Sequence, residues 1–337
     1  MRGDVSAPTT KAERYQQITP RAANSVCFYL FCVKLAHQGA KRKILVIDEY
    51  PYYTRPQFPA KSCNLHNFML YSSQKGGGDM YTFLNNLLSD KKGGEIFTLF
   101  GAWHFFYIAL TVFAVVLVLL LLKNKSDDLR KRTTRAFIYI AFGLYVLDFF
   151  LMPLAYGKID IEKLPFHACT AMCVLCFLSY HNSFLEKFRL SFVLLGFISN
   201  LVYLIYPAGV MWHAVHPISY RVIQTLIFHS IMTVYGSLTL IWEYDKFDIK
   251  KCYRDLGVIV FMTVWALVGN YAYNGSSEEY SHFFNWFFVV RDPFYAIPEA
   301  IAPFVMPFLN IGVFFAVEII IHIVILVIQR IKRSKTV

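Results

Sequence analysis

A histidine and a cysteine stand two residues apart in Leu164-Pro165-Phe166-His167-Ala168-Cys169-Thr170, at the start of an apolar run that continues to about His181. A thiol is nucleophilic as its thiolate, and a neighbouring imidazole favours that form and carries the proton. Further along the chain, Phe228-His229-Ser230 offers a second imidazole and Gly269-Asn270-Tyr271 an amide. Cysteine with histidine, oriented by Asn or Asp, is a recurrent arrangement for acyl transfer. On a regular helix, residues i and i+2 do not face each other. The base for Cys169 is therefore expected to be His229, unless His167 sits in a non-helical turn ahead of the helix. Asn270 or Gln224 would orient the base or donate to an oxyanion.

Two further polar residues interrupt apolar stretches: His104 and Asp148. Ionisable groups inside a bilayer are costly and usually turn inward to pair, so they join the candidate set, as does Tyr271 beside Asn270. A second reading of the same residues competes with catalysis. In it, His167, His229 and Asp148 bind a ligand or relay protons in transport, and the thiol is incidental. A third reading makes all of them satisfied interhelical contacts in a non-catalytic accessory protein. Cys169, Cys173 and Cys176 recur on one helical face, where small residues ordinarily allow close packing. Glu318 and His322, four residues apart, are expected to pair with each other. No spacing demands a metal, and no cofactor is expected.

The elements that must hold these residues are membrane helices. The chain is 56% hydrophobic and only 16% charged, against roughly a quarter charged in soluble domains. Several apolar runs reach the length of about 20 residues that a crossing requires. The expected fold is an all-α, polytopic helix bundle with seven transmembrane helices. They lie at about Ile96–Leu122, Ala136–Tyr156, Pro165–His181, Leu190–Tyr206, Ser219–Trp242, Leu256–Tyr271 and Phe294–Ile328. The last is longer than a straight crossing and contains Pro298, Pro303 and Pro307. The net charge of +11 sits in short segments between apolar runs, the pattern of cytoplasmic loops, so nucleic acid is not expected as a partner. Membrane lipids are, and protein partners are not indicated. From Met80 onward, 16 of 22 Lys and Arg residues follow the first, third, fifth and seventh predicted helices. The positive-inside rule then puts the N-terminus of the first helix outside and the C-terminal tail in the cytoplasm. Helical rise places His167 and Cys169 about 3 and 6 Å below the outer boundary. His104, Asp148, Gln224 and His229 fall about 8 to 15 Å deep. A shared polar cavity open toward the outer leaflet follows.

Residues 1–79 differ from the rest, mixing basic and turn-forming residues with one short apolar stretch. Two readings are open: a poorly ordered N-terminal extension, or a mis-assigned start, with translation beginning at Met80. The second rests on Gly76-Gly77-Gly78, whose codons can encode a ribosome-binding sequence just upstream of Met80. The transmembrane domain is then 80–337.

Five short segments also carry a resemblance: Phe97-Thr98-Leu99-Phe100-Gly101-Ala102-Trp103-His104, Leu164-Pro165-Phe166-His167-Ala168-Cys169, Phe228-His229-Ser230, Gly269-Asn270-Tyr271 and Asp292-Pro293-Phe294-Tyr295. In order and spacing the chain resembles the YwaF-like bacterial integral membrane proteins. The resemblance implies a multi-pass protein of the bacterial plasma membrane. That family in turn resembles an animal membrane acyltransferase acting on ether lysophospholipids, whose catalytic cysteine directly precedes a histidine. Here Phe166 holds that place, and Cys169 follows about one helical turn later, on what would be a similar face of a continuous helix. The resemblance thus implies acyl transfer or hydrolysis on a lipid substrate in the outer half of the bilayer. Seven helices also describe heptahelical receptors and rhodopsins, but the last predicted helix has no lysine to carry a retinal Schiff base.

Overall fold

The computed structural model describes residues 95–156, 163–211, 214–274, 285–293 and 296–334. The 1–79 segment, Met80, Phe294 and Tyr295 lie outside the described residues. Eight α-helices account for most of the described chain: α1 Ala102–Leu122, α2 Asp127–Tyr156, α3 Ala168–Ser179, α4 Ser183–Glu186, α5 Arg189–Ile205, α6 Tyr220–Trp242, α7 Cys252–Asn274 and α8 Ala302–Ser334. No strand occurs among the described residues. Five helices (α1, α2, α6, α7 and α8) are long and apolar enough to cross a membrane, while α3 and α5, at 12 and 17 residues, are shorter.

Helix ends follow local chemistry. Ser219 caps α6 with its side chain on the Val222 N–H, and Asn182 caps α4 on the Phe184 and Leu185 N–H groups, satisfying donors that a first turn leaves free. The basic segment after α1, expected as a loop to Arg135, is instead helical from Asp127. Asp127 and Asp128 occupy the first turn of α2, where carboxylates complement the positive end of the helix dipole. They pair with Arg130 and Arg132. Arg130 also reaches back to the Leu122 and Lys123 carbonyls that end α1. The last helix starts later than expected, at Ala302, and continues through Pro307 to Ser334. A proline inside a helix forgoes one backbone hydrogen bond.

Helix α6 is the hub, packing against α1, α2 and α5, while α3 fits between α2 and α5. Helices α7 and α8 pair with each other and join the rest through α5. Of the apolar window of α6, 67% is buried, against 11% for α1 and 17% for α8, so the latter two turn most of their surface outward. Their outward side chains include Phe105, Phe106, Phe113, Phe304 and Phe308, the kind of surface that lipid tails cover. Association in lipid depends on close packing more than on exclusion of water. At the α5–α6 contact, a Cβ on Gly236 would come within 2.7 Å of Phe197, so the two backbones approach as only glycine permits. Met172, Cys173, Cys176, Leu195, Met232 and Tyr235 fill the common core.

Candidate functional site

The Leu164–Cys169 segment is fixed from outside itself. His167 is the N-cap of α3 with extended backbone, φ −82° and ψ 143°, and the helix begins only at Ala168. The expected start at Pro165 is therefore corrected. The i, i+2 restriction does not bind His167 to a helical direction. Phe166 precedes the helix and packs away toward α7, with ring centroids 5.0 Å from Trp265 and 4.9 Å from Trp286. A Cβ on Gly269 would lie 2.5 Å from the Phe166 ring, so the glycine is what lets the ring seat. Trp265 Nε1 donates to the Pro165 carbonyl at 2.7 Å. Phe166 and Cys169 consequently do not share a helical face, because residue 166 is not helical.

Asn270 completes this anchorage. Its Nδ2 donates to the Ala266 and Trp286 carbonyls, and its Oδ1 accepts from the Trp286 N–H at 3.1 Å. It clamps the backbone of the tryptophan against which Phe166 rests. Its amide is occupied in holding the segment that leads to His167 and Cys169. Tyr271 beside it is 65% exposed, on the outer surface of α7.

On the opposite side of the segment is a polar group that the sequence only partly revealed. Lys163 Nζ is 3.0 Å from Asp148 Oδ2 and 3.4 Å from Gln224 Oε1. The approach to Oδ2 is off hydrogen-bond alignment, so this contact is an ion pair. Tyr220 donates its hydroxyl to Asp148 Oδ1 at 2.7 Å, and Tyr145 donates to the Lys163 carbonyl at 2.8 Å. Asp148 is 1% exposed, a burial tolerable only with such partners. Helices α2 and α6 and the stretch before α3 thus meet at Lys163.

His229, nine residues after Tyr220 on α6, faces α5, stacked on Tyr203 with ring centroids 3.8 Å apart. Its Nδ1 is 2.7 Å from Asn200 Oδ1. Asn200 Nδ2 donates to the Gly196 carbonyl, which fixes the amide with its oxygen toward the ring. Nδ1 must then carry the proton, and Nε2 is left with a lone pair. Lys163 and His167 are both within electrostatic reach of His229, and Lys163 is within reach of Cys169. The Cys169 sulfur faces the backbone N–H groups of Cys169 and Thr170, in the first turn of α3. Among the described residues no hydrogen bond joins Cys169 to His229.

His104 is placed differently. Its Nδ1 accepts from the Phe100 N–H at 2.9 Å and its Nε2 donates to the Leu204 carbonyl at 2.7 Å. Both ring nitrogens are used, and none remains for a ligand. The expected Glu318–His322 pair is also corrected: His322 Nε2 contacts Asp255 Oδ2 at 2.7 Å. Cys173 and Cys176 are fully buried free thiols in the core. Among the described residues, no three His, Cys, Asp or Glu side chains converge to hold a metal ion.

Sequence reasoning missed Lys163, Asn200, Tyr145, Tyr203 and Tyr220. A signal existed for Asn200, a lone amide in the fourth apolar run, where polar residues need a partner. Lys163 was legible only as a loop charge, although it is the first cation to precede the His167 segment.

No curated protein matches the chain, and no solved structure does. Residues 99–329, which run from the lead-in to α1 into the last turns of α8, match the TMEM164 family, and the chain belongs to that family.

Proposed function

We propose that this membrane protein transfers or hydrolyses an acyl group on a lipid substrate, with Cys169 as nucleophile and His229 as base. The observation that carries the reading is the His229 ring, held by Asn200 through Nδ1 and keeping Nε2 as a proton acceptor. Cysteine, histidine and asparagine in these roles make up a known acyl-transfer constellation. The thiol proton passes to His229 Nε2 and the sulfur attacks the acyl carbonyl. The leaving alkoxide then takes the proton, and the thioester yields its acyl group to a second hydroxyl or to water. N–H groups of the first turn of α3, with Lys163, would stabilise the negative charge. His167 and Asn270 act by position: one shapes the approach to α3, the other clamps Trp286.

The substrate arrives from the bilayer. A groove of about 150 Å³ between α2 and α6 is lined by Leu144, Leu147, Leu151, Tyr220, Ile227 and Gln224, whose Oε1 accepts from Lys163. Its apolar walls suit a single acyl chain.

We further infer seven crossings with the start of α1 outside and the C-terminus cytoplasmic. The Lys and Arg distribution supports this. Helix α3 spans only about 18 Å, less than the apolar thickness of about 30 Å, so its crossing includes the turn residues 164–167 ahead of it. The placement in a bacterial plasma membrane, as a YwaF-like protein, belongs to the same proposal and rests on the five motifs.

A second reading has its own support, the buried Asp148–Lys163 pair with Tyr220 and Gln224, which is the kind of network that binds a ligand or relays protons. A thiol-reactive probe with a lipid tail separates the two. Acyl chemistry expects labelling of Cys169, loss of labelling and turnover in Cys169→Ala, and strong reduction in His229→Ala. If Cys169→Ser leaves function intact while His229→Ala abolishes pH-dependent binding or flux, the enzyme reading fails and the second one stands.

A further inference from the structure

The opposite end of the bundle holds a buried carboxyl that the proposed reaction does not use. Glu318 on α8 is 0% exposed, and neither of its carboxyl oxygens has a hydrogen-bond partner. One turn along the same helix, His322 contacts Asp255 of α7 at 2.7 Å, and that pair is itself buried. Charged groups on the elements packed against α8 are Asp255 and Arg254 on α7, the latter turned to the Lys187 carbonyl, Arg189 on α5, and Asp245, Lys246, Asp248, Lys250 and Lys251 in the connecting segment. Of these, Asp255 is the one whose charge acts on Glu318.

An ionised Glu318 would be a bare anion beside a second carboxylate, in a site without donors. Burying an unpaired charge costs far more than burying a neutral acid, so the group takes a proton instead. A proton on Glu318 removes the second carboxylate charge that would otherwise face Asp255. The connecting segment closes the site. Phe247 packs edge-on to the His322 ring at 5.9 Å, and Gln329 of α8 donates to the Tyr244 and Phe247 carbonyls at 2.7 and 3.1 Å. Lys332 adds a contact over the Tyr244 ring at 4.0 Å.

We propose that Glu318, beside the Asp255–His322 pair, is a proton-binding site between α7 and α8, closed by the Tyr244–Lys251 segment docked on α8. Its ligand is an exchangeable proton. The site is separate from the cysteine–histidine site and does not depend on the reaction assigned there.

Infrared spectroscopy of the full chain in lipid nanodiscs tests this through the carbonyl stretch of a protonated carboxyl. The band is expected at neutral pH, and it should shift in deuterium oxide. Glu318→Gln should remove it and Asp255→Asn should leave it. Glu318→Asp, which retains a carboxyl if the glutamine variant does not fold, should move its frequency. Gln329→Ala should undock the segment and speed deuterium exchange several-fold. The proposal is overturned if the wild-type band is absent, if it survives unchanged in Glu318→Gln or Glu318→Asp, or if sodium at constant pH abolishes it. Unaltered exchange in Gln329→Ala would overturn the closure by the segment.

Discussion

His104 and His229 both come from apolar helices and both reach across to α5, yet they end in opposite chemical situations. His104 meets the end of α5 and is saturated by backbone, accepting at Nδ1 and donating at Nε2. His229 meets the middle of α5, where Asn200 takes only its Nδ1. The first arrangement is a fastening: it satisfies a carbonyl in the last turn of α5 and an N–H in the turn before α1, where Phe100 adopts φ 55°. The second leaves the other ring nitrogen uncommitted, within electrostatic reach of Lys163 and His167. A buried histidine is therefore read by what remains on its ring after its neighbours have been satisfied.

The sharpest way to break the comparison is to disturb the charge beside His229. Lys163→Met leaves Asp148 buried without its cation and should cost about 3–5 kcal/mol, visible as a large fall in the melting temperature of the solubilised protein. Adding Asp148→Asn should recover much of it, and a cycle without recovery would refute the pairing. Next, His104→Ala strands the buried Leu204 carbonyl at about 1–3 kcal/mol and frees the part-buried Phe100 N–H, so stability should fall while thiol labelling of the folded fraction persists. His229→Ala should do the reverse. Equal losses of stability and labelling in both variants would erase the distinction.

A smaller effect is expected at the anchorage. Gly269→Ala presses a methyl on the Phe166 ring, an overpacking worth about 1–3 kcal/mol, and it should slow labelling of Cys169 by displacing the residues before α3. Phe166→Leu in the same background should restore part of both. The smallest effect lies at the far end of α6. Burial of Glu243 opposes its charge, but hydrogen bonds and charge from Arg189 and Lys246 outweigh this and hold its carboxyl below the ordinary range. A lowered folded value means that its stabilisation is complete above the unfolded glutamate range and is lost as pH falls through the folded one. Melting curves on the acid side should therefore fall less steeply in Glu243→Gln than in the wild type.

The helical membrane architecture was legible because apolar run length and charge spacing are local properties. His167, Cys169, His229 and Asp148 were legible as cost: each is an ionisable or nucleophilic group where lipid makes such groups expensive. Their environments were not. Asn270 and His104 read as candidates of the same kind, but in the folded chain their hydrogen-bonding capacity is spent on backbone. Asn200 and Lys163 carried no distinguishing local pattern, since one is a single amide in an apolar run and the other a loop cation. The Glu318–His322 spacing suggested a pair along one helix, whereas Asp255, 67 residues away from His322 in sequence, had the better geometry.

What the sequence by itself determined is which residues could not be left in lipid without a partner, and that follows from composition along each helix. Which partner each one received was decided only by tertiary structure. Hydrogen bonds depend on a few tenths of an ångström and on ring orientation, and these are set by helices packing against α5 and α6 rather than by neighbours in the chain. The same histidine side chain spends both ring nitrogens on backbone on α1 and only Nδ1, on Asn200, on α6 for that reason.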